Sequence, residues 1–74
     1  MKWIQVEKEL PSISRELINE GFNRVAVLVT DTMYDMAMIG WYDIEDGKFY
    51  KDYDILAITF KNVIAWMSLP KVYN

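Results

Sequence analysis

The chain has no cysteine and no histidine, and these two absences remove much common chemistry at once. Without thiols there is no disulfide and no thiolate metal site. Without imidazole, the most frequent transition-metal ligand and the usual general base are missing. Ser12 and Ser14 therefore have no partner for a serine triad, and any enzyme would be left with carboxylate or lysine chemistry. Basic residues are few: 8 against 11 acidic ones, a net charge of −3 and a pI near 4.7. No broad positive field draws in nucleic acid or anionic lipid, so both are disfavoured as partners. No apolar run approaches the roughly 20 residues of a membrane helix, and the N-terminus has no signal-peptide pattern. The expectation is a cytoplasmic protein that is not an enzyme and carries no cofactor.

What the chain does have is apolar bulk. Of its 74 residues, 53% are hydrophobic and 15% aromatic, which must stabilise one domain spanning residues 1–74. A domain of this size buries only roughly 60% of the surface its unfolded chain exposes, so its core is thin. Met36-Ala37-Met38-Ile39-Gly40-Trp41-Tyr42 is apolar on both faces if extended and is read as the middle strand of a sheet. Arg24 to Thr30 is a β-branched strand, joined to it by Asp31–Asp35 as an antiparallel hairpin. Asp46-Gly47 turns the chain into a third strand, Lys48 to Asp52, where charged and aromatic residues alternate as on a half-buried edge.

The flanks are shorter elements. Trp3-Ile4-Gln5-Val6 is β-prone, and Leu10-Pro11 marks a boundary. Ser12 is placed to cap a helix over about Ile13 to Glu20, ended by Gly21. Its Leu10, Ile13, Leu17 and Ile18 would form one apolar face, buried against the sheet. Tyr53 to Asn62 fits a strand, a short helix or a packed loop. Val63 to Met67 is a last strand, stopped by Pro70.

Trp3-Ile4-Gln5-Val6 with Leu10-Pro11, and Val63-Ile64-Ala65-Trp66-Met67-Ser68-Leu69-Pro70 at the far end, together resemble a small phage and prophage family known as domain of unknown function family 551. Val27-Leu28-Val29 and Gly40-Trp41-Tyr42 fill that family's middle. Ala65 stands where the family usually has His, Ser68 where it has Pro, and the segment from Ser12 to Asn23 is longer than its usual turn. The resemblance implies a mobile-element origin and a small β-rich fold. It implies no reaction.

Several side chains qualify as binding groups, each with a plainer reading beside it. Trp3, Trp41 and Trp66 could stack on a ligand ring, but large aromatics first serve a thin core; Trp41 is the foremost exception. In a meander, Asp31, Asp35, Asp52 and Asp54 gather at one end of the sheet, with Asp43, Glu45 and Asp46 at the other. Such carboxylates can present an acidic face to a basic protein, yet Asp is also what solvated turns prefer, and no metal-loop spacing is present. Lys48 and Lys51 flank Phe49 and Tyr50, where they could hold a phosphate beside a ring or simply block edge-to-edge pairing. Arg15 and Arg24 are the only guanidiniums, expected in solvent or paired with Glu16 or Glu20. The methionines suit core filling, or an adaptable surface if exposed.

These features point to an α+β fold, an antiparallel sheet of four or five strands with one short helix packed on one face. The expected function is a non-catalytic phage-type binding protein acting on another protein, such as a host or defence factor. The alternative is a binder that sequesters a nucleotide-like signal at a subunit interface. Both faces of the central hairpin are apolar and one helix covers only one, so self-association as a dimer is also expected.

Overall fold

A computed structural model describes residues 2–51 and 58–70. Strand β1 (Ile4–Gln5) precedes a five-residue helix α1 (Arg15–Asn19), followed by β2 (Arg24–Asp31), β3 (Met38–Asp43), β4 (Phe49–Tyr50) and β5 (Val63–Ser68). The strands form one antiparallel sheet in the order β1-β5-β2-β3-β4. The meander from β2 through β4 is as expected. The middle place, however, goes to β2 rather than to the Met36–Tyr42 stretch. Met36 and Ala37 stay outside β3 and exposed, and β5 inserts between β1 and β2. The two end motifs are thereby neighbours, with Ile4 opposite Trp66 and Gln5 opposite Ala65.

Alternation along β2 divides the sheet into two faces. Val25, Val27 and Val29 share one face with Tyr42, Gly40 and Met38, their partners on β3. With Phe49, Phe60 and Trp66 these residues make the core. The core face is not covered by the helix. Past the Tyr50–Thr59 bridge at the β4 edge, the chain returns through Phe60, whose amide donates to the Phe49 carbonyl, and runs on to β5. On the other side, the Trp66 indole donates to the Glu9 carbonyl at 2.9 Å, which holds the segment after β1 against the sheet, and Pro11 is buried there. The sheet curls so far that Val6, Glu7 and Leu10 line one cavity with Lys48, Phe49 and Phe60.

The helix departs from expectation in two ways. Its cap is Ser14, not Ser12: the Ser14 hydroxyl accepts from the Leu17 amide. Gly21 ends it with a φ of 94°, as the left-handed position requires. No residue of α1 is buried, so the Leu10/Ile13/Leu17/Ile18 face is not packed on the sheet. A helix this short has too little apolar face to compete for the core once the curled sheet has closed it. Among the described residues no helix is long and apolar enough to cross a membrane. Of the uncertain Tyr53–Asn62 stretch, Tyr53 to Ala57 lie outside the described residues; Thr59 bridges to Tyr50, and its hydroxyl accepts from Lys61 Nζ at 3.2 Å.

Gly40 is where the closure is tightest. A methyl group there would lie 3.0 Å from Val29 Cγ1 and 3.4 Å from Phe60 Cε2, and Val29 is fully buried and has nowhere to go. Gly40→Ala is therefore expected to cost about 1–3 kcal/mol, as overpacking a filled core does. A lower urea midpoint with unchanged slope would register it; an unchanged midpoint would mean that Val29 gives way without cost.

Candidate functional site

Two features stand on the outer face of the sheet, opposite the core: a polar cluster and an apolar groove. The cluster begins with register. Arg24 on β2 lies opposite Asp43 on β3, so their side chains share a face. Arg24 Nε donates to Asp43 Oδ2 at 2.9 Å, and the guanidinium lies 3.7 Å from the centroid of the Tyr50 ring on β4. Asp43 Oδ1 accepts the amides of Glu45 and Asp46, tightening the turn whose Gly47 has a φ of 73°. Asp46 in turn accepts from the Tyr50 hydroxyl and the Lys48 amide. Asn23 adds a side-chain bond to Glu45, and its carbonyl accepts the Ile44 amide. One ion pair thus ties the ends of three strands to the β3–β4 turn.

The electrostatics follow from this packing. Burial alone would push the Asp43 carboxyl up, but the hydrogen bond from Arg24 and the two turn amides together outweigh it and hold its pKa below the ordinary value. Arg24 is pushed up by its bond to Asp43, against the pull of burial. The Tyr50 phenol is pushed up first by its hydrogen bond to Asp46 and then by burial. A buried ion pair with each partner bonded in this way is a structural device before it is a reactive one.

The groove lies beside this cluster. Leu17 and Phe22 form one wall, with Arg24, Val25, Ala26 and Trp41 opposite, and its volume is about 410 Å³. Leu17 and Phe22 are 38% and 43% exposed, too large a share for core residues. The apolar lining continues along the outer face, where Ala26 faces Trp41 across the strands and Leu28 faces Ile39. Ile39 is 53% exposed.

Of the residues singled out from the sequence, Trp41 and Arg24 meet here, and Asp43, Glu45 and Asp46 gather at this end of the sheet as the meander led one to expect. The tryptophans do not form a platform, because Trp66 packs in the core, Trp41 on the outer face, and Trp3 is exposed at the other edge. Arg24 is neither in solvent nor paired with Glu16 or Glu20; it has Asp43 because the β2–β3 register puts them opposite one another. Arg15 is exposed at the start of α1.

The described carboxylates differ in burial. Asp31 and Asp43 are buried rather than solvated. Asp31 accepts the Met33 amide with one oxygen and the Asn62 amide with the other, each at 2.8 Å, fastening the β2–β3 connection to the start of β5. Asp35 is exposed, and Asp52 and Asp54 lie outside the described residues. Among the described residues no group of three or more carboxylates is placed to hold a metal ion. Lys51 bonds to the Tyr34 hydroxyl beside the Tyr34 and Phe60 rings, while Lys48 faces the cavity between β4 and the segment after β1. Met33 and Met36 are exposed, against the core role expected of them, whereas Met67 is buried. Sequence reasoning missed Leu17 and Phe22 as site residues, since an amphipathic stripe reads as core until the helix is seen to stay undocked.

No family model, curated protein or solved structure matches this chain.

The ion pair sets an acid limit. With a folded pKa below the unfolded value near 3.8, Asp43 contributes stability that is fully present above that value and is lost as pH falls through the lower one. Asp43→Asn is expected to flatten the acid limb of a urea-midpoint profile and to lower the midpoint at neutral pH, by less than the ~3–5 kcal/mol of a fully buried pair because Arg24 is partly exposed. A wild-type profile in that variant would make the pair irrelevant to stability. Tyr50 acts at the other end. Its contribution is present below the ordinary phenol value of 10.0 and is lost only as pH rises through the higher folded value.

Proposed function

We propose that this is a non-catalytic binding protein that takes an apolar segment of another protein into the groove between α1 and the outer face of the sheet. The observation that carries this reading is the apolar lining that runs from the exposed Leu17 and Phe22 past the half-buried Ala26 and Trp41 to the exposed Ile39. Contiguous exposed apolar surface marks interaction sites, because leaving it in water is unfavourable unless something covers it in use. The neighbouring polar cluster supports the same reading. Its buried carboxylate is already committed to Arg24 and two amides, which leaves it suited to rigidify the groove rather than to transfer protons.

A small-ligand site is the second reading, favoured by one observation: the groove volume of about 410 Å³ falls within the roughly 300–1,000 Å³ of small-molecule pockets. Arg24 counts against a nucleotide-like ligand there, since its charge is already matched by Asp43. The phage or prophage setting, and with it a host or defence factor as the partner, rests on the end motifs alone and is part of the proposal. So is self-association, which would use the outer face, because the core face is covered by the chain itself.

Native mass spectrometry of the protein purified from its source cell tests the proposal. The expected result is a bound protein that disappears in the double variant Leu17→Ser/Phe22→Ser. Both positions are exposed, so the variant should keep wild-type stability to within about 1 kcal/mol. A bound small molecule in place of a protein would overturn the reading in favour of the second one. In the same spectra a mass of twice 8.8 kDa reports the dimer.

A further inference from the structure

We infer that the cavity between β4 and the segment after β1 binds a small amphipathic anion, a compact apolar body that carries one carboxylate. The inference is independent of the groove, with which this cavity shares no lining residue. The cavity holds about 300 Å³, at the lower end of the roughly 300–1,000 Å³ of small-molecule pockets. Phe49 and Phe60 in its lining are buried, while Glu7, Lys48 and Lys61 are exposed. It therefore runs from the apolar edge of the core to a charged opening in solvent.

Two ammonium groups against one carboxylate make this lining positive, in a chain whose net charge is −3. Among the described residues, nothing bonds to the Lys48 ammonium or to the Glu7 carboxylate. Lys61 Nζ gives one hydrogen to Thr59 Oγ1 at 3.2 Å and has two more to donate. The common task of an edge lysine, blocking strand-to-strand pairing, does not fall to Lys48. The outer edge of β4 is already paired, since the Phe60 amide donates to the Phe49 carbonyl and the Lys51 amide to the Ile58 carbonyl.

Both lysines hang from fixed backbone. The Lys48 carbonyl accepts the Asp43 amide, and its own amide donates to Asp46. Lys61 lies between Phe60 and Asn62, whose amides donate to Phe49 and to Asp31. Anchoring the stems lowers the cost of ordering the two ammoniums around a ligand. Glu7 then limits the charge of that ligand. One negative charge together with Glu7 balances the two lysines, whereas a second would stand uncompensated against the Glu7 carboxylate. A cation of the same shape would face both ammoniums. The phenyl rings of Phe49 and Phe60 suit a hydrophobic body behind the head group.

The test uses phenylacetate as the probe, beside neutral 2-phenylethanol, the phenethylammonium cation and phenyl phosphate, read by amide and aromatic shifts in heteronuclear NMR. The expected result is saturable binding that is tightest for phenylacetate, with shifts at Gly47, Lys48, Phe49 and Phe60. Affinity should fall about tenfold in Lys48→Gln/Lys61→Gln, as two partly exposed charge contacts are lost, and should rise in Glu7→Gln. All three side chains are exposed, so both variants are expected to keep the wild-type urea midpoint, and each tests the charges without the other. Binding of 2-phenylethanol or phenethylammonium as tight as that of phenylacetate, or affinity unchanged in the lysine variant, overturns the charge assignment. Tighter binding of phenyl phosphate overturns the single carboxylate. Shifts at Phe22 and Trp41 in place of those at Phe49 and Phe60 put the probe in the groove and overturn the location. Binding of none of the four overturns the site, and leaves the protein-binding reading of the groove untouched.

Discussion

Val29, the most buried residue of the core, can pack as closely as it does only because Gly40 beside it has no side chain. Phe60 lies next to the same position on the core face of the sheet. A domain of this size has no second layer to spend on its core, so the sheet has to supply its own cover by curling and by bringing the chain back across itself. Phe60 and the Trp66 bond to Glu9 complete that cover from opposite sides. Once the core face is closed in this way, nothing is left for the helix to bury, and its apolar side chains stay at the rim of the outer face.

The outer face carries the consequence. Across β2 and β3 its apolar residues stand opposite one another, Ala26 against Trp41 and Leu28 against Ile39. The Arg24–Asp43 pair then stiffens one end of the same face by joining β2, β3 and the turn into β4. A buried ion pair adds little net stability against an apolar replacement, but it fixes which residues stand opposite one another. Here that means Arg24 against Asp43 and, two residues along each strand, Ala26 against Trp41. The groove has a rigid wall for that reason, and its second wall is made by Leu17 on α1 and Phe22 just beyond the helix end.

Much of the architecture was readable in the order of residues. The β-branched run Val25 to Val29 could only be a strand, Asp46-Gly47 could only be a tight turn, and Gly21 could only end a helix. The meander from β2 to β4 followed from short connections. The helix cap slipped by two residues because Ser12 and Ser14 offer the same oxygen to the backbone, and only the placement of Pro11 against the sheet decides between them.

What the sequence determined by itself was local: strand periodicity, turn positions, the absence of thiol and imidazole side chains, and a net negative charge. The tertiary structure decided everything that depends on which face is covered. An alternating pattern marks two faces of a strand without saying which turns inward. An amphipathic helix likewise marks an apolar side without saying whether the core has room for it. Arg24 and Asp43, nineteen residues apart, become partners only through register, and Leu17 becomes a groove wall only because the sheet closed without it. Burial is a property of the whole packed chain, and no local pattern of residues can assign it.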